Sequence, residues 1–293
     1  MAFKTGYIAL LGKPNTGKSS LINALVGEKV SITSPKPQTT RNNILGIRNT
    51  NNCQMIFIDT PGVQNGQTAL GKYMSKSTSS AREGVNCLLV VLDAGKITEF
   101  DKKLISSCEK SECPVFVVIN KMDITSYEKL YPVLAELNKF TFVKQFFVLS
   151  ALKKLKLEPL LTAIEEVLPE GEPEFEMESY TDKSMRFIAS EVIREKCLLL
   201  LQEEIPHGIA IDIVKYEEKK NSVNIQADII CASDRHKGII IGKGGQMLKK
   251  IGTSSRLDLE RITGEKVGLD LYVKVKENWD QSKGVLADLG FDE

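Results

Sequence analysis

Two short strings of residues, about a hundred positions apart, have the residue types and spacing needed to bind a nucleotide. The first has the form GxxxxGKS and reads Gly12, Lys13, Pro14, Asn15, Thr16, Gly17, Lys18 and Ser19. It follows an apolar run at residues 7–11 and precedes a helix-like stretch at residues 20–26, as a phosphate-binding loop requires. Its glycines let backbone N–H groups point at phosphate, Lys18 supplies positive charge, and Ser19 offers a hydroxyl to Mg²⁺.

The second string indicates which base is bound and reads Asn120, Lys121, Met122 and Asp123. The Asp123 carboxylate can accept hydrogen bonds from both N1–H and the 2-amino group of guanine, a donor pair that adenine lacks. A site built on such a pair rejects the wrong base by about 10⁴-fold. We expect Asn120 to brace the loop and the Lys121 stem to cover one face of the base. The string follows a strand-like run, and ligands bind at that end of parallel strands.

A third string, which would bind Mg²⁺ and the γ-phosphate, follows the strand-like residues 55–58. It comprises Asp59, Thr60, Pro61, Gly62 and Val63. We expect Asp59 to reach Mg²⁺, mostly through water, and the Gly62 N–H to contact the γ-phosphate. The earlier segment 34–41 is polar and interrupted by prolines, as expected of a loop that becomes ordered around γ-phosphate and metal. Either Thr39 or Thr40 would give Mg²⁺ its second hydroxyl, and we favour Thr40.

A shorter loop after residues 146–148 completes the predicted site, and its residues are Leu149, Ser150 and Ala151. It would contact guanine O6 through backbone N–H groups. We assign the catalytic contributions to Lys18, Thr40 and Gly62. Val63 occupies the position where many GTPases carry a glutamine that orients the attacking water, and valine forms no such hydrogen bond. The sequence therefore predicts slow intrinsic hydrolysis, with water positioned by backbone, by Thr40 or by a group outside the chain.

Composition narrows the class of protein. The chain has 293 residues, 42% of them apolar and 26% charged, and a net charge of +1, so any basic nucleic-acid surface must be local. Its six cysteines include no CxxC pair and predict neither a disulfide partner nor a zinc site, while two histidines argue against histidine-centred catalysis. The N-terminus has no signal-peptide pattern, and no apolar run reaches the length of a membrane span. We expect a cytoplasmic monomer, with peripheral membrane contact left open.

The order of segments predicts two domains. Residues 1–168 alternate strand-like and helix-like segments, which predicts an α/β P-loop GTPase domain with a mostly parallel sheet and an antiparallel edge strand near residues 44–48. Residues 169–184 begin with a proline-interrupted run in which every second residue is acidic, which predicts an acidic linker. Residues 185–293 have the order α-β-β-α-α-β followed by a final helix near residues 279–289.

A glycine-rich loop in the second domain predicts RNA binding. Ile241, Gly242, Lys243, Gly244 and Gly245 lie between two helix-like segments and match the IGxxG loop of a KH domain, which clamps about four single-stranded nucleotides. A basic cluster without an intervening acid surrounds the loop and comprises Arg235, Lys237, Lys243, Lys249 and Lys250. A tight turn with a solvated basic face is the alternative, and the α-β-β-α-α-β order favours a smaller α+β domain of the type II KH class.

These strings together resemble the Era family of GTPases along the whole chain. The similarity rests on GKPNTGKSS, PQTTR, DTPG, NKMD and LSA, followed by IIIGKGGQMLKKIG. Three residues depart from the usual pattern: Lys13 replaces arginine, Ser20 replaces threonine, and Pro37 replaces a small residue. The resemblance implies a GTPase that binds GTP and GDP with Mg²⁺, holds the 3′ end of 16S rRNA in its KH domain and acts in biogenesis of the 30S subunit. It also implies association with the cytoplasmic face of the membrane.

Two further expectations concern the mechanism of hydrolysis and switching. In related GTPases an asparagine at the position of Asn15 coordinates K⁺, which would stand in for an arginine charge. The alternative is that Asn15 only forms hydrogen bonds within the loop, and equal hydrolysis rates in K⁺ and Na⁺ would exclude the K⁺ role. Binding of GTP and Mg²⁺ is expected to order residues 34–41 and 63–71 and thereby to alter RNA binding.

The sequence motifs also leave other functions to be considered. One is a membrane-associated cell-cycle regulatory GTPase, and another is a passive RNA-binding module whose nucleotide domain only adds stability. An RNA-modifying GTPase would need an additional domain, for which the chain has no room. An ATPase is disfavoured by Asp123.

Overall fold

The computed structural model of the chain describes residues 2–36, 38–62, 68–202 and 205–291. The described residues form two units. The first contains residues 2–36, 38–62 and 74–182, and the second contains residues 68–73, 183–202 and 205–291. Within the described ranges, no helix has the length and apolar character needed to cross a membrane.

A six-stranded sheet forms the centre of the first unit. Its strands are β1 (Lys4–Leu11), β2 (Ile44–Asn49), β3 (Cys53–Asp59), β4 (Cys87–Asp93), β5 (Val115–Asn120) and β6 (Gln145–Val148). The spatial order is β2-β3-β1-β4-β5-β6. Strand β2 runs antiparallel to β3, and the other neighbours are parallel. The prediction of a mostly parallel sheet with an antiparallel strand near residues 44–48 is therefore confirmed.

Helices cover both faces of this sheet. They are α1 (Lys18–Val26) and α5 (Glu158–Val167) on one face, and α3 (Glu99–Ser106) and α4 (Tyr127–Leu137) on the other. Helix α2 (Ala69–Ser80) includes residues of both units. Alternate residues of β1 point to opposite faces of the sheet. Ile8 and Leu10 pack in a core with α1 and α5, whereas Ala9 and Leu11 pack in a second core with α3 and α4. Burial on both faces explains why the strands read as continuous apolar runs. It also leaves the loops at the carboxyl ends of the strands to form a site.

The segment predicted as an acidic linker makes ordered contacts with the sheet, and up to Asp182 it belongs to the first unit. We call residues 169–182 the acidic strap. Gln54 on β3 is fully buried and holds the strap: its Oε1 accepts from the backbone N–H groups of Glu174 (2.8 Å) and Phe175 (3.0 Å). Its Nε2 donates to the Phe175 carbonyl at 2.8 Å. The alternating acids predict a linker because the pattern does not reveal the backbone hydrogen bonds to the buried Gln54 amide.

The strap then follows the outer edge of β2. Asn49 Nδ2 donates to the carbonyls of Met177 and Ser179, at 2.7 and 2.9 Å. The Ile47 N–H donates to the Tyr180 carbonyl at 2.9 Å. The Leu45 N–H donates to Asp182 Oδ1 at 3.0 Å. The strap thus provides hydrogen-bond acceptors for the backbone N–H groups at the outer edge of β2, which would otherwise be unpaired.

The second unit has the predicted α-β-β-α-α-β order and a final helix. Its elements are α6 (Met185–Leu200), β7 (Ile209–Lys219), β8 (Ser222–Cys231), α7 (Asp234–Ile241), α8 (Gln246–Thr263), β9 (Lys266–Val275) and α9 (Lys283–Asp288). Strand β8 lies in the middle, antiparallel to β7 and parallel to β9. Helices α6, α7 and α8 bury Ile193, Ile240 and Ile251 in the same core as the inward-facing residues of the sheet. Residues 68–73 group with this unit because the Leu70 N–H donates to the Asp280 carbonyl there, a contact that no local pattern predicts.

Candidate guanine-nucleotide site and RNA groove

The phosphate loop connects the end of β1, at Leu11, to the start of α1, at Lys18. Gly17 has φ of 91°, and a Cβ atom there would lie 2.4 Å from Asn120 Nδ2. A Cβ atom on Gly12 would lie 2.5 Å from the Val91 carbonyl oxygen. Glycine is therefore needed at both positions. Because α1 has no side-chain cap among the described residues, its first N–H groups remain available for an anion.

Lys18 places its charge inside this loop. The residue is only 6% exposed, and its Nζ donates to the carbonyls of Gly12 and Lys13, both at 3.1 Å. Burial lowers the pKa of Lys18 to about 8, while the Asp59 carboxylate opposes that shift. A buried ammonium group at the start of a helix is suited to pair with phosphate oxygens, since phosphate restores the interactions that burial removes.

The three predicted metal ligands lie together. Ser19 Oγ lies 2.9 Å from Thr40 Oγ1, which donates to Asp59 Oδ2 at 3.2 Å. Adjacent oxygen ligands in an octahedral Mg²⁺ shell lie about 2.9 Å apart, given metal–oxygen bonds of about 2.0–2.1 Å. The Asp59 Oδ1 atom is buried and has no hydrogen-bond partner among the described residues. Burial raises the pKa of this carboxyl group, and the Ser19 hydroxyl and the Lys18 charge oppose the shift. The donor set and its spacing fit Mg²⁺.

The geometry separates the two candidate threonines. Thr39 Oγ1 donates to the Lys36 carbonyl at 2.7 Å, whereas Thr40 is 7% exposed and contacts both other ligands. This arrangement supports Thr40, whose role in hydrolysis stays a prediction. Gly62 lies against the phosphate loop, since a Cβ atom there would be 2.8 Å from the Pro14 ring. Val63 and the following residues up to 67, together with Pro37, lie outside the described residues.

Asn120 joins three segments of the predicted base site. Its Nδ2 donates to the Thr16 carbonyl at 3.0 Å, which links it to the phosphate loop. Its Oδ1 accepts from the backbone N–H of Lys121 at 2.8 Å and from that of Ala151 at 2.9 Å. Asp123 accepts a hydrogen bond from the buried Ser150 hydroxyl, which orients its carboxylate. The structure therefore brings residues 12–19, 120–123 and 149–151 to one edge of the sheet.

Sequence reasoning missed two carboxylates that hold lysines of this site. Asp101, which is fully buried, pairs with Lys13 at 2.6 Å and closes a capping box with Thr98 at the start of α3. Asp93, the last residue of β4, pairs with Lys121 at 2.6 Å. Both signals were present in the chain: TxxD is a capping-box pattern, and Asp93 follows an apolar strand as Asp59 does.

The Lys13–Asp101 pair gives the first testable prediction. Asp101 Oδ1 is buried without a hydrogen-bond partner in the described part of the chain, because the single lysine nitrogen reaches only Oδ2. In the Lys13→Arg variant a guanidinium fork can donate to both oxygens, so the free energy of unfolding should rise by about 1 kcal/mol. Chemical denaturation of the nucleotide-free protein measures this change. The matched control is Lys102→Arg, since Lys102 pairs with the solvent-exposed carboxylates of Glu99 and Glu136 and its replacement should have no effect. An unchanged or lower stability of Lys13→Arg would contradict the prediction.

The glycine-rich loop of the second unit connects α7 to α8. Gly242 has φ of 73°, and a Cβ atom there would lie 2.7 Å from the Met247 Cβ, so only glycine fits. Gly244 and Gly245 also have positive φ, and a Cβ atom on either would have no neighbour within 4 Å among the described residues. One side of the loop is thus open to a ligand, and helix α8 begins there at Gln246. Lys243 is exposed in the loop, as a phosphate contact requires.

A groove runs from this loop between α8 and the edge strand β9. Its lining residues are Gly245, Leu248, Lys249, Gly252, Thr253, Arg256, Leu269, Asp270 and Leu271. Two of them, Gly245 and Lys249, belong to the predicted RNA-binding set. The rest of that set lies around the loop: Arg235, Lys243, Gly244 and Lys250 are exposed, and Lys237, Ile241 and Gly242 are half-buried. The remaining lining residues, on α8 after Lys250 and at Leu248 and on β9, were missed because only the folded chain brings the strand beside the helix.

Comparison with known proteins agrees with this geometry. A family model described as a 50S ribosome-binding GTPase matches residues 7–121, and a KH-domain model matches residues 204–280. The chain is 40% identical to GTPase Era of Ruminiclostridium cellulolyticum, covering 99% of this chain and 98% of the relative. It is 42% identical to GTPase Era of Caldicellulosiruptor saccharolyticus, covering 100% and 99%. The protein is thus a GTPase with a P-loop domain and a C-terminal KH domain, and it hydrolyses GTP.

Two solved structures indicate which family of GTPases this chain resembles. One is a single-residue variant of Aquifex aeolicus Era bound to GDP·AlF₄⁻, with a TM-score of 0.95, 38% identity, and coverage of 99% of this chain and 100% of the other. The second is Era in complex with MgGDPNP and nucleotides 1506–1542 of 16S ribosomal RNA, with a TM-score of 0.94 and the same identity and coverage. The chain belongs to the GTPase Era family. The predicted fold class is confirmed in both parts.

Proposed function

We propose that this GTPase binds 16S rRNA near its 3′ end through the KH unit, uses GTP with Mg²⁺ as the switching ligand, and acts in biogenesis of the small (30S) ribosomal subunit. The observation that carries the proposal is the groove beside the Gly242–Gly245 loop, in a chain that also holds a nucleotide site. A related Era in a full-length match carries a 16S rRNA fragment and MgGDPNP together.

The acidic strap supports coupling between nucleotide and RNA. Strand β2 begins four residues after Thr40, and the strap forms hydrogen bonds with its Leu45 and Ile47. The strap ends at Asp182, where the second unit begins. A movement of β2 that accompanies ordering around Thr40 would therefore reach the chain that leads into the KH unit. Coupling of this kind is reciprocal, so an RNA that prefers the GTP state must also raise GTP affinity.

Fluorescence anisotropy tests the proposal directly. A labelled RNA from the 3′ end of 16S rRNA is titrated with protein bound to GDP or to a non-hydrolysable GTP analogue, and we expect tighter binding in the GTP-analogue state. An RNA of equal length from the large subunit is the specificity control, because the family model that matches residues 7–121 is described as a 50S ribosome-binding GTPase. The Gly242→Ala variant should lose affinity in both states, since the added methyl group meets Met247.

The outcomes of this titration test the RNA partner, the nucleotide switch and the RNA-binding groove separately. Equal binding in the two nucleotide states would keep the RNA partner and remove the switch. Preference for large-subunit RNA, or no binding to either RNA, would overturn the proposed partner. Unchanged affinity in Gly242→Ala would place RNA outside the groove.

One surface favours the membrane as a second partner. Loop residues 152–156 are all exposed, with Leu152 at 76% and Leu155 at 47%, and the other three are lysines. Exposed leucines beside lysines suit an anionic bilayer surface, to which each lysine adds about 1 kcal/mol. Sedimentation with anionic or neutral vesicles, with and without nucleotide, tests this peripheral association. Equal recovery of the wild type and Leu152→Gln with anionic vesicles would exclude the loop as the contact.

The role of K⁺ stays a prediction. Asn15 Nδ2 donates to the Pro35 carbonyl at 2.6 Å, so this hydrogen bond goes to segment 34–41 and not to another residue of the phosphate loop. A K⁺ ion would instead use the amide oxygen. Hydrolysis rates compared in K⁺ and in Na⁺ separate the two roles.

A further inference from the structure

Asp93 lies where three parts of the nucleotide site meet. It is the last residue of β4, and the parallel register pairs it with Asn120, the last residue of β5. The sheet therefore places its carboxylate beside the loop that recognises guanine. None of the nucleotide motifs includes this residue.

Both carboxylate oxygens of Asp93 are engaged. Oδ1 accepts from the Gly95 N–H at 2.9 Å, which fixes the carboxylate within the turn after β4. Oδ2 accepts from Lys121 Nζ at 2.6 Å. The same Nζ also donates to the Asn15 carbonyl at 2.6 Å. A chain of contacts thus runs from β4 through the base loop to the phosphate loop.

We propose that Asp93 is a positioning residue for guanine-nucleotide binding, because it holds the Lys121 ammonium group against the Asn15 carbonyl and so ties the base loop to the phosphate loop. The inference rests on the nucleotide site described above and deepens it. A lysine has a flexible four-carbon stem, and its ammonium group is strongly hydrated. Without a fixed anion, that group exchanges the Asn15 carbonyl for water, and the stem no longer keeps one position over the base.

A second contact between the two loops does not replace this one. Asn120 Nδ2 donates to the Thr16 carbonyl at 3.0 Å, but this bond lies beneath the base loop at a residue only 1% exposed. The Lys121–Asp93 pair is more exposed, with 32% and 22% of the two side chains accessible to solvent. Loss of Asp93 should therefore speed nucleotide release more than it alters the fold.

The Asp93→Ala variant tests the proposal through the release rate of a fluorescent GDP analogue. We expect release of the GDP analogue to become about tenfold faster, because the variant loses one charge-assisted contact. The KM for GTP should rise while kcat at saturation changes less than twofold, because the hydrogen bonds of Asp93 go to Gly95 and Lys121 and not to the predicted metal ligands. The preference for GTP over ITP should not change, since Asp123 alone reads the 2-amino group.

A double-mutant cycle shows whether Asp93 acts through Lys121. In the Lys121→Ala background, Asp93→Ala should leave the release rate unchanged. Asp93→Asn keeps the size of the side chain and should show an intermediate rate. The matched control is Glu99→Ala, which removes an exposed carboxylate that pairs only at the surface and should match the wild type.

Three results would overturn the proposal: an unchanged release rate in Asp93→Ala, additive effects of the two substitutions, or a fall in kcat with constant KM. A wild-type protein that fails to bind the GDP analogue would instead overturn the nucleotide site itself. Circular dichroism of each variant separates loss of folding from loss of positioning.

Discussion

Replacement of Asp123 by asparagine is expected to lower the affinity for GTP by about 10³-fold or more, because a site left with mismatched buried polar groups loses binding on this scale. The amide NH₂ would face the guanine N1–H and 2-amino donors and could not accept from both. Xanthine carries a carbonyl in place of the 2-amino group, so the variant should bind XTP better than the wild type does. Competition between a fluorescent GDP analogue and unlabelled GTP or XTP measures both changes.

The Ser150 hydroxyl offers a comparison variant for this prediction. It donates to Asp123 Oδ1 and thereby orients the carboxylate, so Ser150→Ala should weaken GTP binding far less and leave the base preference intact. Asp270→Asn, a change of the same kind at an exposed position in the second unit, is the neutral control. Survival of tight GTP binding in Asp123→Asn would show that the base is recognised elsewhere.

Replacement of Lys18 by alanine is expected to lower the affinity for GTP and GDP by about 10²–10⁴-fold, the range for two lost hydrogen bonds from a charged donor at about 1.5–3 kcal/mol each. Lys18 is buried within the phosphate loop, and its ammonium group is the charge that phosphate oxygens would meet. Isothermal titration calorimetry at constant Mg²⁺ measures the loss for each nucleotide.

A second lysine in the same loop is the matched control. Lys13 pairs with Asp101 and donates to Thr98, so Lys13→Ala removes contacts that support the loop and should reduce nucleotide affinity by about tenfold at most. Equal losses in the two variants would mean that the loop responds to any loss of charge and that Lys18 has no special role. Thermal unfolding of both nucleotide-free variants checks that the loop remains folded.

Local patterns determined most of the elements and the nucleotide site. The predicted helix at residues 20–26 begins at Lys18, the strand-like run predicted before the NKMD string is β5 (Val115–Asn120), and the helix-like segment predicted after the glycine-rich loop is α8. These segments are predictable because apolar periodicity and glycine spacing act over a few residues. The phosphate loop and the NKMD string are contiguous for the same reason: each must contact one ligand group with neighbouring backbone atoms.

The positions of partners far apart in sequence could not be predicted in this way. Lys13 and Asp101 are 88 positions apart and Lys121 and Asp93 are 28 positions apart, and each pair meets only because the order of strands in the sheet brings their loops together. Gln54 shows the limit most clearly. It lies just before the predicted strand-like residues 55–58 and belongs to β3 in the structure, and its contact with the acidic strap depends on hydrogen bonds to residues 174 and 175.

By itself, the sequence determined that this protein is a GTPase with a KH domain, because the residues expected to contact phosphate, guanine and RNA backbone stand in short contiguous motifs whose residue types and spacing set the local geometry. The tertiary structure alone decided that Thr40 rather than Thr39 joins Ser19 and Asp59, that Asp93 and Asp101 anchor the lysines of the site, and that the acidic segment lies along β2. The physical reason is that these contacts depend on sheet register and burial, which bring distant residues within hydrogen-bonding distance and are not encoded in any one segment.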